Sequence, residues 1–508
     1  MQRRELFQLV CALLGCFLLL GLSARLVQHE HPDLRWRSST SPDVEEAVAA
    51  VKNDPPSAPP ALDAALFPLP EYRRLPPSPS CDSLHGAAFL THLASRSAAY
   101  CVDGASSSFR CFQTNQTKPG RVDNFCIAHN AQWSPSSSAI HLDCPPAEWT
   151  KEEKPAFRPL GSLSRYWYKT GPQVIVDTAV RFEREPGHPH APPPVSSPQT
   201  DDILVLIKRE GSSNLWHCLM EIMSLSLTLD ALRLASSPSP SSPSSPPNAP
   251  LYSLPADYRR TRLVLLDDHP PGPFLPLWQL FTPHPILRLA DLKVSPPAAP
   301  QTLVVPLAGG ANPLWQGDWT AHDCHDSATL RAFVRRVHRF AGVGVDGEEK
   351  PSPDAAAAQD ARRAPLKVTI IDRPGTRKLV EQDALVAQLE QRLGGDPSRP
   401  VQIRVVDLAV LPLAEQIRRA YATDVLVGVH GAGLTHLLFM RPGGAVVEVL
   451  PSRLDFQGFR NAAHLTELRY YRLHAKVTPG DWHREPVGAV EAAVRGLFSA
   501  GLRSWDVD

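Results

Sequence analysis

Two Rossmann-like α/β units facing each other across a cleft, behind a transmembrane anchor and a disordered stem, are what this chain is expected to fold into. Three features lead there. Short apolar runs of strand length alternate with longer stretches of helical period in two separate regions. Segments holding many of the 53 prolines separate and interrupt those regions, because proline lacks the amide that regular pairing needs. A length of 508 residues with 43% hydrophobic content exceeds one compact core, since domains commonly run to ~100–200 residues.

The N-terminus is expected to be a cytosolic tail (1–5) followed by a signal anchor (6–24). Arg3 and Arg4 precede LFQLVCALLGCFLLLGLSA, and 19 residues of helix reach about 28 Å at ~1.5 Å each, enough for a thin bilayer. Flanking arginines orient the body towards the lumen of the secretory pathway. A cleaved signal peptide is the rival, because Gly21, Leu22 and Ser23 resemble a cleavage site, but the apolar stretch exceeds the usual ~7–15 residues of a signal core. A short span suits the endoplasmic reticulum or Golgi membrane better than the plasma membrane. Residues 25–80, polar and proline-rich, read as a disordered stem.

Lys+Arg and Asp+Glu both number 52, so no global field draws the chain to nucleic acid. Cys81, Cys101, Cys111, Cys126 and Cys144 crowd one region while Cys218 and Cys324 stand alone. In an oxidising lumen that cluster predicts a disulfide framework of unknown pairing rather than a metal site. Asn115-Gln116-Thr117 beside it is a glycosylation sequon at Asn115.

The first folded unit is expected over 81–343. Strand-like runs at 203–208, 261–268 and 302–307 surround a helix at 214–234, with Asn214 placed as its cap. Trp216, Met220, Met223 and Leu227 share a buried face of that helix, and His217, Glu221 and Ser224 a neighbouring one. Low-complexity residues 344–365 read as a linker. In the second unit, 366–485, strands at 367–372, 402–408, 424–429 and 445–450 alternate with helices at 381–393 and 412–421 and a short helix after 433. Strict βα alternation with strands apolar on both faces implies a parallel sheet covered on both sides. Residues 486–508 read as an amphipathic helix that crosses back onto the first unit.

Ligands of such sheets bind beyond the carboxyl ends of the strands. His430-Gly431-Ala432-Gly433 follows one strand there, Glu448 lies near the end of the next, and Arg373 and Arg377 leave a third. Glycines admit a ligand close to the backbone, the helix start aims free amides at it, and the two arginines supply charge. That combination predicts a diphosphate site, with Glu448 as a candidate partner for ribose hydroxyls. No GxGxxG opens the first βα turn, which argues against a dinucleotide.

GVHGAGLTHLLFMRPGGAVVEVLP (428–451) resembles the signature of glycosyltransferase family 61, and NLWHCLMEIMSLSLTL and VTIIDRPGTRKLVEQDALV are similar to that family in order and spacing. The resemblance runs from about Asp202 to Pro451. It implies a type II membrane enzyme of GT-B fold that transfers a sugar from a nucleotide donor, such as a UDP-sugar, with inversion. Family members use xylose, arabinose or N-acetylglucosamine, and the acceptor is expected to be a glycan or glycoprotein.

Single displacement needs a general base for the acceptor hydroxyl and charge or dipoles for the leaving diphosphate. Glu221 or His217, one helical turn apart, is the expected base. Arg373, Arg377 and the amides of 431–434 are expected to receive the leaving group, with no metal required, although stimulation by a divalent cation stays compatible. Asp318, Trp319, His322 and Asp323 form a polar-aromatic loop facing the acceptor. Plainer roles are open beside these: His217 bonded to a carbonyl, Glu221 on a solvated face, Asp267 and Asp268 capping the next helix, His436 and Trp216 in the core. A catalytically inactive sugar-binding protein of the same fold is the main alternative. A nucleotide-sugar epimerase would need a dinucleotide fingerprint, and a structural membrane protein would leave the strand-end residues unexplained.

Overall fold

The computed structural model describes residue 69 and residues 78–118, 120–149, 157–183, 202–236, 249–297, 301–344, 365–374, 382–394, 400–451 and 454–475. All of them belong to one compact unit, Pro59–Asp508. The expected anchor, nearly all of the stem and linker, Arg377 and the C-terminal helix lie outside these residues.

The chain is a mixed α/β structure with two sheets. It begins with helices α1 (Pro79–His85) and α2 (Ala87–Ser95). Strands β1 (Ser97–Ala99), β2 (Ser108–Thr114), β3 (Asp123–Ser134) and β4 (Ala139–Asp143) follow as an antiparallel run. Helix α3 (Pro172–Ala179) leads into β5 (Val180–Glu183), which pairs with β4. Next come β6 (Ile203–Ile207), helix α4 (Leu215–Leu234), β7 (Thr261–Leu265), β8 (Leu287–Arg288) and β9 (Gln301–Val305), then helix α5 (Ala328–Phe340). The sheet order is β1-β2-β3-β9-β6-β7-β8, with β4 and β5 off the β3 edge. Along that path β9-β6-β7-β8 is parallel and β3 joins β9 antiparallel, while off the path β4 and β5 run parallel to each other. The expected strand runs on either side of the helix at 214–234 thus form a parallel part of a mixed α/β sheet, to which the cysteine-rich region adds antiparallel strands.

The second sheet contains β10 (Leu366–Ile371), β11 (Val401–Val406), β12 (Val425–Val429), β13 (Ala445–Pro451) and β14 (Arg469–Ala475). Helices α6 (Gln382–Leu393), α7 (Leu413–Tyr421) and α8 (Gly458–Leu465) connect them, with a 3-10 helix at Ala432–Phe439 after β12. Its order is β11-β10-β12-β13-β14 and every pair is parallel. Strand β14 and helix α8 were not foreseen.

Helix α4 organises the molecule. Asn214 caps it, its side-chain oxygen accepting from the amides of Trp216 (3.0 Å) and His217 (3.4 Å). Its sequence is long and apolar enough to cross a membrane, but it is buried within the protein on nearly every face, as a helix apolar all round must be. One apolar cluster joins Val205 of β6, Leu219 and Leu225 of α4, Ile417 of α7 and Leu434 and Leu438 beyond β12. The two sheets therefore share a core, each fully buried leucine contributing about 1.5–3 kcal/mol.

The cysteine expectation is met in kind. Cys101 pairs with Cys144, Cys111 with Cys126, and Cys81 with Cys324, so the fifth member of the cluster reaches across 243 positions to a cysteine that looked isolated. Cys218 is free and buried.

Candidate active site

In the second sheet the strand order reverses between β10 and β12. The loops leaving their carboxyl ends diverge and open a crevice, the place where doubly wound sheets take ligands. His430 lies immediately past β12, and Arg373 two residues past β10. Gly431 has φ 149°, a value open to glycine and strained for other residues. A Cβ added at Gly433 would lie 4.0 Å from Cδ of Arg373, so that side chain runs alongside the glycine loop.

Nδ1–H of His430 donates to Oε1 of Glu448 at 2.6 Å, and the Tyr470 hydroxyl donates to Oε2. Glu448 is fully buried. Parallel register sets it opposite Gly428, beneath the loop instead of at its rim. The expected contact between Glu448 and ribose hydroxyls is therefore corrected: both oxygens are occupied, and the carboxylate fixes His430.

The facing wall comes from the end of β6. Arg209 is buried and paired with Asp267 at 2.8 Å, whose carboxylate also accepts from the backbone amides of Arg209 and His269. Asp267 thus ties the ends of β6 and β7 together and caps no helix. A buried pair of this kind fixes geometry more than it stabilises. The next residue, Glu210, accepts from Nδ1–H of His217 at 2.5 Å. This leaves Nε2 as the basic nitrogen of His217.

Glu221 lies one turn further along α4 and is buried, with Oε1 accepting the backbone amide of Glu210 at 2.7 Å. Burial pushes its carboxyl well above the usual range, against the pull of that amide. Gly309 is needed here, since an added Cβ would meet Cγ of Glu221 at 2.7 Å. The two expected base candidates therefore separate: His217 faces open space, and Glu221 holds the loop that carries the partner of His217.

The two walls enclose one cavity of about 400 Å³, lined by His217, Trp315 and Asp318 on one side and by His430, Gly431 and Ala432 on the other. Trp315 packs on His217 at 4.5 Å between ring centres, and Phe456 on His430 at 5.0 Å. Trp319 lies at the mouth. His322 does not line the cavity: its amide donates to Asn461 and its Nδ1 accepts from the amide of Cys324. His436 is buried in the 3-10 helix, hydrogen-bonded to the Gly433 carbonyl and to Gln416. Asn115 is exposed after β2. Glu210 was missed from sequence, although its place just beyond a strand end is the signal that could have found it.

Burial raises the Asp318 carboxyl to about 7, opposed in part by His217. The folded state then keeps a proton that the unfolded chain releases between about pH 4 and pH 7. This group's contribution to stability is fully present below that window and is lost as pH rises through it. Asp318→Asn should raise the melting temperature relative to the unsubstituted chain more at pH 8 than at pH 5; an equal difference at both values would contradict the assignment.

Residues 215–447 match the family Glycosyltransferase 61, a span that includes His217, Trp315, Asp318 and His430 of the cavity but not Glu210 or Tyr168. Over that region, which is less than half of the chain, the protein is similar to the glycosyltransferase 61 family. It is 31% identical over 168 residues to the EGF domain-specific O-linked N-acetylglucosamine transferase of Gallus gallus, covering 32% of this chain and 28% of the relative. The protein of that name from Drosophila melanogaster is 27% identical over 232 residues, 44% of this chain and 39% of the relative. A xylan glycosyltransferase of Arabidopsis thaliana is 31% identical over 141 residues, 28% of this chain and 26% of the relative. The matches thus span well under half the length of these relatives.

Proposed function

We propose that the chain is an inverting glycosyltransferase that moves a sugar, xylose or N-acetylglucosamine, from a UDP-sugar to a hydroxyl of a glycan or glycoprotein. The observation that carries this is the meeting of two histidine–glutamate pairs across one cavity, His217–Glu210 at the end of β6 and His430–Glu448 at the end of β12. The acceptor oxygen attacks the anomeric carbon while Nε2 of His217 takes its proton. The bond from that carbon to the diphosphate breaks, and the electron pair leaves on the phosphate. Arg373, the amides of 431–433 and Arg377 receive that charge, the Leu434 amide being donated to the Gly431 carbonyl, and His430 bonds the donor. Glu221 is a positioning residue that holds the backbone of Glu210.

A GT-B arrangement follows, with 81–343 on the acceptor side and 366–485 on the donor side of the cleft, joined by 344–365. Residues 6–24 anchor the chain in the Golgi or endoplasmic reticulum membrane as a single-pass type II protein, with 25–80 as its stem and 486–508 crossing back. Three disulfides support an oxidising, luminal setting.

The test is a panel of UDP-sugars offered to the purified chain, read by donor hydrolysis and thermal stabilisation, with and without chelator. A response to UDP-xylose or UDP-N-acetylglucosamine is expected. Indifference to every UDP-sugar would remove the proposal.

A further inference from the structure

Three large aromatic side chains are prominently exposed among the described residues: Trp167 (51%), Tyr168 (55%) and Trp319 (64%). All three stand at the mouth of the same cavity. Scattered exposed rings need no explanation, but their convergence on one opening does.

The segment bearing two of them is held in a costly shape. Tyr166, Tyr168 and Lys169 have φ of 54°, 64° and 54°, so three of the six non-glycine residues with positive φ in the described chain fall within four positions. Each such residue costs about 1–3 kcal/mol and persists only where its surroundings impose it. Those surroundings are present. The Tyr166 hydroxyl donates to buried Asp123, and the Arg121 guanidinium lies 4.1 Å from the ring centre of Tyr166 and 5.1 Å from that of Trp167. Arg121 is itself tied to Gln316 at 2.7 Å and to the Gly310 carbonyl at 3.0 Å. Tyr168 then lies 5.9 Å from the ring of His217.

Resting on the transferase reading above, we propose that this mouth is a stacking subsite for a pyranose ring. The group that accepts the transferred sugar is then itself a sugar residue of an existing glycan, not a bare serine or threonine. A pyranose has an apolar C–H face for Trp167, Tyr168 and Trp319 and a rim of hydroxyls. The cavity supplies Lys118 and Asp318 as polar partners for that rim. A peptide phenyl ring would satisfy the aromatic walls and leave those polar groups unserved. Stacked on Tyr168, the acceptor ring brings one hydroxyl to His217.

The test is saturation-transfer NMR on the purified chain with three probes: xylohexaose, a trimannosyl N-glycan core and an unglycosylated Ser/Thr peptide. At least one oligosaccharide should bind. Trp167→Ala and Tyr168→Ala should each weaken it by about tenfold without moving the melting temperature. Val294→Ser, an exposed apolar position remote from the cavity, should leave it unchanged. Binding by the peptide alone, by no probe, or with an affinity that both aromatic variants preserve would overturn the proposal. Thermal stabilisation by UDP-sugars is recorded in parallel. A chain that responds to UDP-sugars but ignores both oligosaccharides loses only the subsite. One that binds an oligosaccharide through Trp167 but answers to no UDP-sugar loses only the transfer reaction.

Discussion

Replacing His217 by alanine is expected to lower the turnover of sugar transfer by about 10²–10⁴-fold, the range that a positioned general base supplies, while UDP affinity stays near that of the unsubstituted chain. The asymmetry follows from placement. His217 lines the acceptor wall, and the proposed diphosphate groups lie past β10 and β12 on the other. Glu210→Gln should cost less, because an amide still occupies the site but no longer favours the Nδ1–H tautomer or the protonated ring. Glu221→Gln separates the two candidates drawn from sequence. Its amide oxygen can still accept from the backbone of Glu210, so most turnover should survive. A Glu221→Gln chain that folds normally and is as inactive as His217→Ala would move the base to the buried carboxyl.

Removing the Cys81–Cys324 disulfide by a Cys81→Ala, Cys324→Ala double substitution is expected to destabilise the chain by up to about 5 kcal/mol, because so long a closed loop gains much entropy in the unfolded state. The bridge joins α1 to the segment that carries Asp318 and Trp319. Ser327 and Thr329 add hydroxyl bonds to the His85 carbonyl at 2.7 and 2.9 Å. Those bonds remain in the double variant and temper the loss. Urea unfolding should show a clearly lower midpoint, whereas Cys218→Ala, which only trims a free buried thiol, should shift it by a fraction of that amount. Equal midpoints for the two variants would show that the long bridge constrains nothing.

Local patterns carried much of the fold. Strands β6, β7, β9, β10, β12 and β13 lie where runs of β-branched and aliphatic residues place them, because a strand buried on both faces reads as a nearly continuous apolar run. Helix α4 begins and ends within a residue of its expected limits, since Asn214 is a capping residue and the apolar run stops at Leu234. The antiparallel strands β1 to β4 stayed hidden although each pairs with its neighbour in sequence, because β2 (SFRCFQT) and β3 (DNFCIAHNAQWS) mix polar and apolar residues without a clean alternation.

The site divides along the same line. His430 with Gly431 stood out because histidine and glycine at a strand end have few purely structural explanations. Glu210 did not, because one carboxylate in a polar loop looks solvated until the fold sets it against His217. Glu448 was seen but misplaced. Its nearness to a strand end was legible, but the face it occupies depends on alternation along β13, which turns it inward under His430. Trp315, Trp167 and Tyr168 reach the cavity from single helical turns, Pro313–Gln316 and Trp167–Lys169, too short for any periodicity to predict.

A crystal structure of the chain with bound UDP tests the central claim most directly. The diphosphate should lie in the crevice between the ends of β10 and β12, within hydrogen-bonding reach of the amides of Gly431, Ala432 and Gly433 and of the Arg373 guanidinium, with His217 facing it across the cavity. UDP seated elsewhere on the molecule, with that crevice empty, would contradict the account.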